Sequence, residues 1–277
     1  MRIHHLNCGT MRPPARALVN GGGGLLALGA RGEMCCHCLA IETPGAGIVL
    51  IDSGLGSAEL REPGKRLGRA FPLLTGLVAD PQHAAVHRLA ALGLDARDVR
   101  HIVLTHMDID HAGGLADFPA ARIHVHAREF AAATARATFR EQHRYVPSQW
   151  QHATDIRRYA SDGERWRGFE AVRQLDGLPP DILLVPLHGH TRGHTGVVVE
   201  RPAETLLHAG DAYFHRDEVH APTRRCPPAL RAMQALFDVD RAQRLANQDR
   251  LRALAQTASD IRIFSAHDPV ELASFAG

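Results

Sequence analysis

Short apolar runs separated by glycine, proline and acidic residues recur along the chain and predict short β-strands. The runs lie at 48–51, 102–104, 123–125, 182–185, 197–199, 206–207 and 261–264. Four segments between these runs have the apolar spacing of amphipathic helices. The helices are predicted at 81–92, 127–137, 228–236 and 240–258. Strands and helices mixed along one chain predict an α/β fold in which helices cover β-sheets.

The composition is that of a globular protein with one large domain. The chain has 277 residues, of which 45% are hydrophobic and 22% charged, and no linker divides it, so we expect a single domain over 1–277. A net charge of +2 argues against a nucleic-acid partner. The partner that we expect is a small-molecule substrate. The chain contains no apolar run of about 18 residues, the length that a membrane-spanning helix needs, so we expect no membrane partner. The N-terminus lacks the apolar core of a signal peptide, so we expect a cytoplasmic protein, with a homodimer as the common default.

The cysteines predict neither a disulfide framework nor a complete zinc site. Their number, five, is odd, which argues against full pairing in disulfides. Cys35 and Cys38 form a C-x-x-C pattern, so a small zinc or redox site is one interpretation. No second ligand pair follows at comparable spacing, and the sequence continues into a strand-like run. Buried cysteines that act as small hydrophobes are the favoured interpretation.

Polar residues with metal-binding side chains follow the apolar run at 102–104. His106, Asp108, Asp110 and His111 fall within six residues, and two glycines come soon after. Burying so many charged and polar groups without a partner costs several kcal/mol. A cation among them removes that cost, which favours a metal site over a solvated loop.

Further histidines and acids follow other predicted strands. Because functional side chains gather at strand ends in α/β folds, we expect these to join the same site. They are His188, His190 and His194, then Asp211, and then His267.

Together these motifs resemble the metallo-β-lactamase superfamily, in its lactonase-like branch. The resemblance spans roughly 39–270 and implies an αββα sandwich, in which two mixed sheets lie face to face with helices outside and a metal site at one edge. The residues that carry it are Asp52-Ser53-Gly54, Thr105-His106-x-Asp108-x-Asp110-His111, Gly193-His194-Thr195, Gly210-Asp211 and His267.

The resemblance also implies the roles of individual residues. Asp52 would accept a hydrogen bond from a ligand imidazole and fix its tautomer, and His190 would support a ligand. The two divalent ions, Zn²⁺ foremost, would have one shared ligand. The implied ligands are His106, Asp108 and His194 for the first ion, Asp110, His111 and His267 for the second, and Asp211 between both.

Asp108 departs from the family pattern, which usually has histidine there. A carboxylate is a harder ligand than imidazole, so Mn²⁺ or Fe²⁺ becomes a possible occupant. Zn²⁺ could equally bind with altered affinity, or Asp108 could leave the first site weak. We favour ligation by Asp108, because carboxylates bind Zn²⁺ at ordinary distances of about 2.0–2.2 Å.

The reaction that this centre implies is hydrolysis. A water bridging two divalent ions has a pKa lowered from 15.7 towards about 7, which supplies hydroxide at neutral pH. Asp110 would orient the hydroxide and pass its proton to the leaving group. Tyr213 either reaches a substrate carbonyl or packs as an aromatic.

Three classes of function follow, in decreasing order of preference. The first is cleavage of a lactone or carboxylic ester, as in acyl-homoserine lactonases. The second is a phosphodiesterase or nuclease on the same scaffold, although the basic clusters expected for phosphate binding are reduced to the pairs Arg157-Arg158 and Arg224-Arg225. The third is a non-hydrolytic metal-binding or redox protein.

Two segments without metal motifs, about 55–80 and 138–180, are predicted to form a lid over the metal edge. The second is rich in aromatic residues, which we expect to shape an apolar pocket. They are Trp150, Tyr159, Trp166 and Phe169.

Overall fold

The computed structural model describes residues 1–21, 29–161, 163–172 and 174–275 and contains two β-sheets packed face to face. The first sheet has six strands in sequence order, antiparallel from β1 to β3 and parallel from β3 to β6. Its strands are β1 (Arg2–Met11), β2 (Met34–Thr43), β3 (Gly47–Ile51), β4 (Val99–Val103), β5 (Arg122–His126) and β6 (Ile156–Tyr159).

The second sheet comes from the C-terminal part of the chain. Its four strands lie in the order β12-β11-β10-β9, with β11 and β12 parallel and the other pairs antiparallel. The strands are β9 (Ile182–Pro186), β10 (Thr195–Val199), β11 (Thr205–His208) and β12 (Ile261–Phe264), and a separate hairpin pairs β7 (Arg165–Trp166) with β8 (Phe169–Glu170).

Helices lie between the strands along the chain, and the longest occur near the C-terminus. They are α1 (Arg16–Val19), α2 (Ser57–Arg61), α3 (Pro63–Arg66), α4 (Ala70–Thr75), α5 (Ala85–Ala91), α6 (Ile109–Ala112), α7 (Ala127–Ala135), α8 (Phe139–Arg144), α9 (Pro228–Phe237), α10 (Arg241–Thr257) and α11 (Pro269–Ala273). No described helix is both long enough and apolar enough to cross a membrane.

Continuous apolar runs form the central strands because both faces of each sheet are buried. In β3, Val49 and Ile51 pack between the sheets, whereas Leu50 faces the outer layer that contains Leu89 of α5. Successive side chains of a strand point to opposite faces, so an unbroken run covers both layers.

The second sheet repeats this arrangement. Leu184 of β9 packs between the sheets, and its neighbours Leu183 and Val185 pack with Leu251 of α10 on the outer side. The predicted αββα sandwich is therefore confirmed.

The predicted strands and long helices are present, with ends shifted by a few residues. The predicted helix at 81–92 is a short 3₁₀ turn followed by α5. The long strand β1 was not predicted, because its polar residues, among them His4 and His5, interrupt the apolar pattern.

The aromatic part of the lid prediction is wrong. Trp166 and Phe169 are buried in the same cluster as Leu251 of α10. Tyr159 hydrogen-bonds His124 through its hydroxyl group, and Trp150 packs on α7. These side chains complete the core instead of forming a pocket over the metal edge, because the segment folds back on both sheets.

Candidate metal centre

The loop after β4 that carries the dense histidine–aspartate run is held against the loop after β3. A Cβ atom on Gly114 would lie 2.4 Å from the Ser53 carbonyl oxygen, so only glycine fits this crossing. Ser53 donates both its backbone amide and its hydroxyl to the carbonyl oxygen of His111.

Asp52 orients one histidine of this loop. Its carboxylate accepts hydrogen bonds from the Thr105 amide at 2.8 Å, the Thr105 hydroxyl at 2.7 Å and His111 Nδ1 at 2.8 Å. Burial opposes ionisation of Asp52, but the neighbouring His111 imidazole lowers the pKa of its carboxyl group overall. The predicted hydrogen bond that Asp52 accepts from an imidazole of the site is confirmed, and it leaves His111 Nε2 facing the interior of the centre.

Asp211 occupies the middle of the centre. Its Oδ1 atom lies 3.1 Å from His267 Nε2 and 3.3 Å from His111 Nε2, and its Oδ2 atom lies 3.7 Å from His106 Nε2. Burial opposes the charge of Asp211, but these three imidazoles hold the pKa of its carboxyl group well below the usual value.

The potential ligands form three groups, two of which share His106, and within each group the ligand atoms lie within 4.8 Å of one another. The groups are His106, Asp108 and His190; His106, His111 and Asp211; and Cys36, Asp110 and His267.

His190, and not the predicted ligand His194, faces the first site. His190 Nε2 lies 3.2 Å from Asp108 Oδ2 and 3.4 Å from Asp211 Oδ2. Both ring nitrogens of His194 form hydrogen bonds with the backbone. Nδ1 donates to the Leu187 carbonyl at 3.0 Å, and Nε2 accepts from the Asp211 amide at 2.9 Å. Because the Asp211 amide occupies the lone pair of His194 Nε2, the structure contradicts the predicted ligand role of His194, and His190 is the histidine of this loop that faces the site.

Glu129 on α7 holds the loop that carries His190. This buried carboxylate accepts hydrogen bonds from the Met107 amide at 3.0 Å, the Thr191 hydroxyl at 2.6 Å and the Gly193 amide at 3.0 Å. It therefore connects the loop after β4 with the loop between β9 and β10. A side chain on Gly193 would collide with the Glu129 backbone at 2.1 Å, so glycine is required at this position.

Asp108 is paired with an arginine from the predicted lid segment. Arg144 Nε lies 3.0 Å from Asp108 Oδ1, and the same guanidinium group donates to the His190 carbonyl at 2.8 Å and the Phe237 carbonyl at 3.0 Å. Burial opposes the charge of Asp108, but Arg144, followed by His106, holds the pKa of its carboxyl group well below the usual value.

The position of Arg144 follows from the local sequence of its helix. Thr138 and Glu141 form a reciprocal capping box that fixes the start of α8. The helix ends at Arg144, one and a half turns later, with the guanidinium group buried beside the centre.

Unpaired buried atoms indicate that this centre holds a cation. Among the described residues, His106 Nε2, His111 Nε2 and Asp211 Oδ1 are buried and have no hydrogen-bond partner. Buried polar atoms are normally satisfied, and imidazole nitrogen with carboxylate oxygen is a ligand set for divalent transition ions. The residues therefore fit a pair of such ions.

Tyr213 lies outside the centre. Its hydroxyl group donates to Glu271 Oε1 at 2.8 Å, and the side chain is fully buried in the outer core of the second sheet. The interpretation that Tyr213 reaches a substrate carbonyl is therefore wrong, and it is a packing residue with a satisfied hydroxyl group.

An apolar cluster adjoins the metal centre beside His267. Phe214 stacks on His267 with ring centroids 4.9 Å apart. It packs with Met11, Met34 and Cys36, and Phe71 of α4 contacts the same cluster.

Comparison with protein families identifies the fold. The model of the metallo-beta-lactamase superfamily matches residues 32–267. The chain belongs to this superfamily. The superfamily fold implies divalent metal binding, which agrees with the unpaired ligand atoms at the sheet edge.

Two relatives within the superfamily cover nearly the whole chain. The probable metallo-hydrolase Rv2300c of Mycobacterium tuberculosis (strain ATCC 25618 / H37Rv) is 39% identical over 270 residues, which are 97% of this chain and 81% of the relative. The N-acyl homoserine lactonase AttM of Rhizobium radiobacter is 24% identical over 283 residues, 99% of this chain and 96% of the relative.

A solved structure has the same fold. An N-acyl homoserine lactone hydrolase with N-hexanoyl-L-homoserine at its catalytic metal centre aligns with a TM-score of 0.70 and 20% identity, covering 99% of this chain and 97% of the other.

Sequence reasoning missed Glu129, Arg144 and Cys36 at this site and gave His190 only a supporting role. His190 shares its Gly-His-Thr context with His194, so that signal was present but ambiguous. Glu129, Arg144 and Cys36 carry no local motif, and only the tertiary structure brings them to the centre.

Proposed function

We propose that this protein is a dinuclear metallohydrolase that cleaves a lactone or carboxylic ester. The observation that carries the proposal is the convergence of buried, unpaired ligand atoms on one point between the sheets. There, His106 Nε2, His111 Nε2 and Asp211 Oδ1 are buried and have no hydrogen-bond partner among the described residues.

The arrangement suggests how the ligands divide between two ions. Asp211 has one oxygen near the ligand atoms of each group and is the shared ligand. We assign His106, Asp108 and His190 to the first ion, and Asp110, His111 and His267 to the second.

A bound pair of divalent ions supplies Lewis acidity and water activated at neutral pH. The protein's own groups position the ligands and move the proton. Asp110 suits the proton transfer, because its side chain is 14% exposed whereas that of Asp211 is 4% exposed. Through their hydrogen bonds, Asp52 fixes the loop after β4, and Glu129 connects that loop with the loop between β9 and β10.

The substrate class is inferred from the surroundings of the second site. The cluster of Met11, Met34 and Phe214 offers an apolar surface beside His267, which suits an acyl chain. Phe71 continues this surface into α4, where Leu73 and Leu74 are 80% and 72% exposed. This observation supports a lid role for segment 55–80. The lactonase activity named for the AttM relatives points to the same substrate class.

The test combines metal content with a panel of substrates. Protein purified without chelator is expected to hold close to two ions per chain by plasma mass spectrometry. It should hydrolyse an N-acyl lactone or an open-chain acyl ester faster than bis(4-nitrophenyl) phosphate. Hydrolysis of the phosphate diester alone would instead favour a phosphodiesterase, and inertness to all three would contradict a hydrolase.

Paired variants test the proton-transfer role. Asp110→Asn should lower kcat by about 100-fold, in the range of lost general acid–base catalysis. Asp98→Asn, at an exposed aspartate outside the centre, should leave kcat unchanged. Equal activity of the two variants would exclude Asp110 from the reaction.

A further inference from the structure

The thiol of Cys36 lies beside the second metal site. Cys36 Sγ is 4.0 Å from Asp110 Oδ2, and these atoms form one group with His267 Nε2. Cys8 and Cys38 instead lie in the apolar outer core of the first sheet, as the sequence analysis favoured for all the strand cysteines. Cys36 thus differs from these two in facing potential metal ligands.

Packing limits the directions in which this thiol can point. Cys36 is buried, and Gly9 leaves the space that its sulfur occupies, since a Cβ atom on Gly9 would lie only 2.9 Å from Sγ. The Cys36 amide also donates to Asn7 Oδ1 at 3.3 Å, which fixes the backbone beside β1.

Independent evidence for a metal ion at the second site comes from two unpaired atoms on the side chains of His111 and Asp211. His111 Nε2 and Asp211 Oδ1 belong to side chains less than one-tenth exposed, and neither atom has a hydrogen-bond partner among the described residues. They lie 3.3 Å apart, and Asp211 Oδ1 is 3.1 Å from His267 Nε2. His267 thus borders both these unpaired atoms and the Cys36 sulfur.

We propose that Cys36 is a thiolate ligand of the second metal ion, together with Asp110 and His267. The inference rests on the proposed dinuclear centre. As the sulfur–metal bond forms, the S–H bond breaks and its proton leaves to solvent.

The consequence is a centre with two chemically different sites. A thiolate is a soft ligand that selects zinc-like ions, whereas the carboxylate of Asp108 is hard and suits Mn²⁺ or Fe²⁺. The second site should therefore keep Zn²⁺ or Co²⁺ in competition with Mn²⁺, and the first should exchange more readily.

Cobalt spectroscopy of the full chain tests this proposal. Loaded with two Co²⁺ ions, the protein should show an intense sulfur-to-cobalt charge-transfer band in the near ultraviolet. The band should disappear in Cys36→Ala and persist in Cys38→Ala, which removes a buried cysteine from the same strand. Two bound cobalt ions without the band, or a band that survives in Cys36→Ala, would overturn the assignment.

X-ray absorption at the zinc edge gives a second test that needs no variant. A sulfur neighbour at about 2.3 Å is expected in the zinc-loaded protein. A shell of nitrogen and oxygen alone, with two zinc ions bound, refutes the role of Cys36 and leaves the metallohydrolase proposal standing. Failure to bind any metal refutes the centre itself, and the role of Cys36 with it.

Discussion

The two ends of the metal centre lie in different surroundings. At the first end, Asp108 contacts the buried guanidinium group of Arg144 at 3.0 Å. At the second end, Phe214 stacks on His267 and continues into an apolar cluster that contains Cys36. The difference teaches that charge organises the surroundings of the first end, whereas the second end adjoins an apolar surface, which under the proposed function would accept the acyl part of a substrate.

Arg144 balances the charge of Asp108 at the first end. Asp108 brings one negative charge where the resemblance implies a neutral imidazole, and Arg144 brings one positive charge. The pair is therefore neutral overall. The guanidinium group also engages Oδ1 of Asp108, which leaves Oδ2 facing His106 and His190.

Removing Asp211, the proposed ligand of both ions, should have the largest effect on metal content and activity. Asp211→Asn is expected to release both ions and to lower kcat/KM by at least about 1000-fold, or about 4 kcal/mol. Metal analysis and lactone or ester hydrolysis measure this, with Asp98→Asn as the exposed control. Retention of two ions and a tenth of the activity would show that Asp211 is not shared.

Removing the charge partner at the first end should have the next largest effect. Arg144→Met leaves the Asp108 carboxylate unpaired, so the free energy of unfolding of the metal-free protein should fall by about 3 kcal/mol. Arg97→Met breaks the exposed pair of Arg97 with Asp95 and should change this free energy very little. Urea denaturation checks both values.

A double variant separates charge from packing at this end. If Asp108 is what makes Arg144 necessary, then Asp108→His should reduce the cost of Arg144→Met, which a double-mutant cycle measures as coupling. Additive costs would show that Arg144 acts only through its bonds to His190 and Phe237.

The second end should respond to a change in Asp52. Asp52→Asn weakens the bond that orients His111, so affinity for the second ion should fall about 10–100-fold. Competition with a chelator during stepwise loading measures this, because the first ion should keep its affinity. An equal loss of affinity for both ions would mean that the two metal sites do not act separately.

The smallest effect is expected at Tyr213. Tyr213→Phe removes the bond to Glu271 and should cost about 1 kcal/mol of stability, with kcat/KM within about twofold of wild type. A tenfold loss of kcat/KM with unchanged stability would place Tyr213 at the substrate after all.

The sequence predicts the layers of the fold because its apolar runs are strong and each is buried on both faces. It also predicts the dense ligand loop and the role of Asp52, because these lie in recognisable local motifs. It does not separate His190 from His194, since both stand in a Gly-His-Thr triplet and only the amide of Asp211 distinguishes them. Arg144 and Glu129 are invisible to motif reasoning, because their partners lie far away along the chain.

The two sheets come from consecutive parts of the chain, which gives the metal centre a mechanical role. One part, ending at β6, carries His106, Asp108, Asp110 and His111, and the other, from β9, carries His190, Asp211 and His267. Bound ions would therefore fasten two polypeptide segments that a single cut between β6 and β9 would separate. Both parts also contribute to the apolar core between the sheets, so fragments made by such a cut would associate through that core, and bound ions would add a second, chelator-sensitive connection.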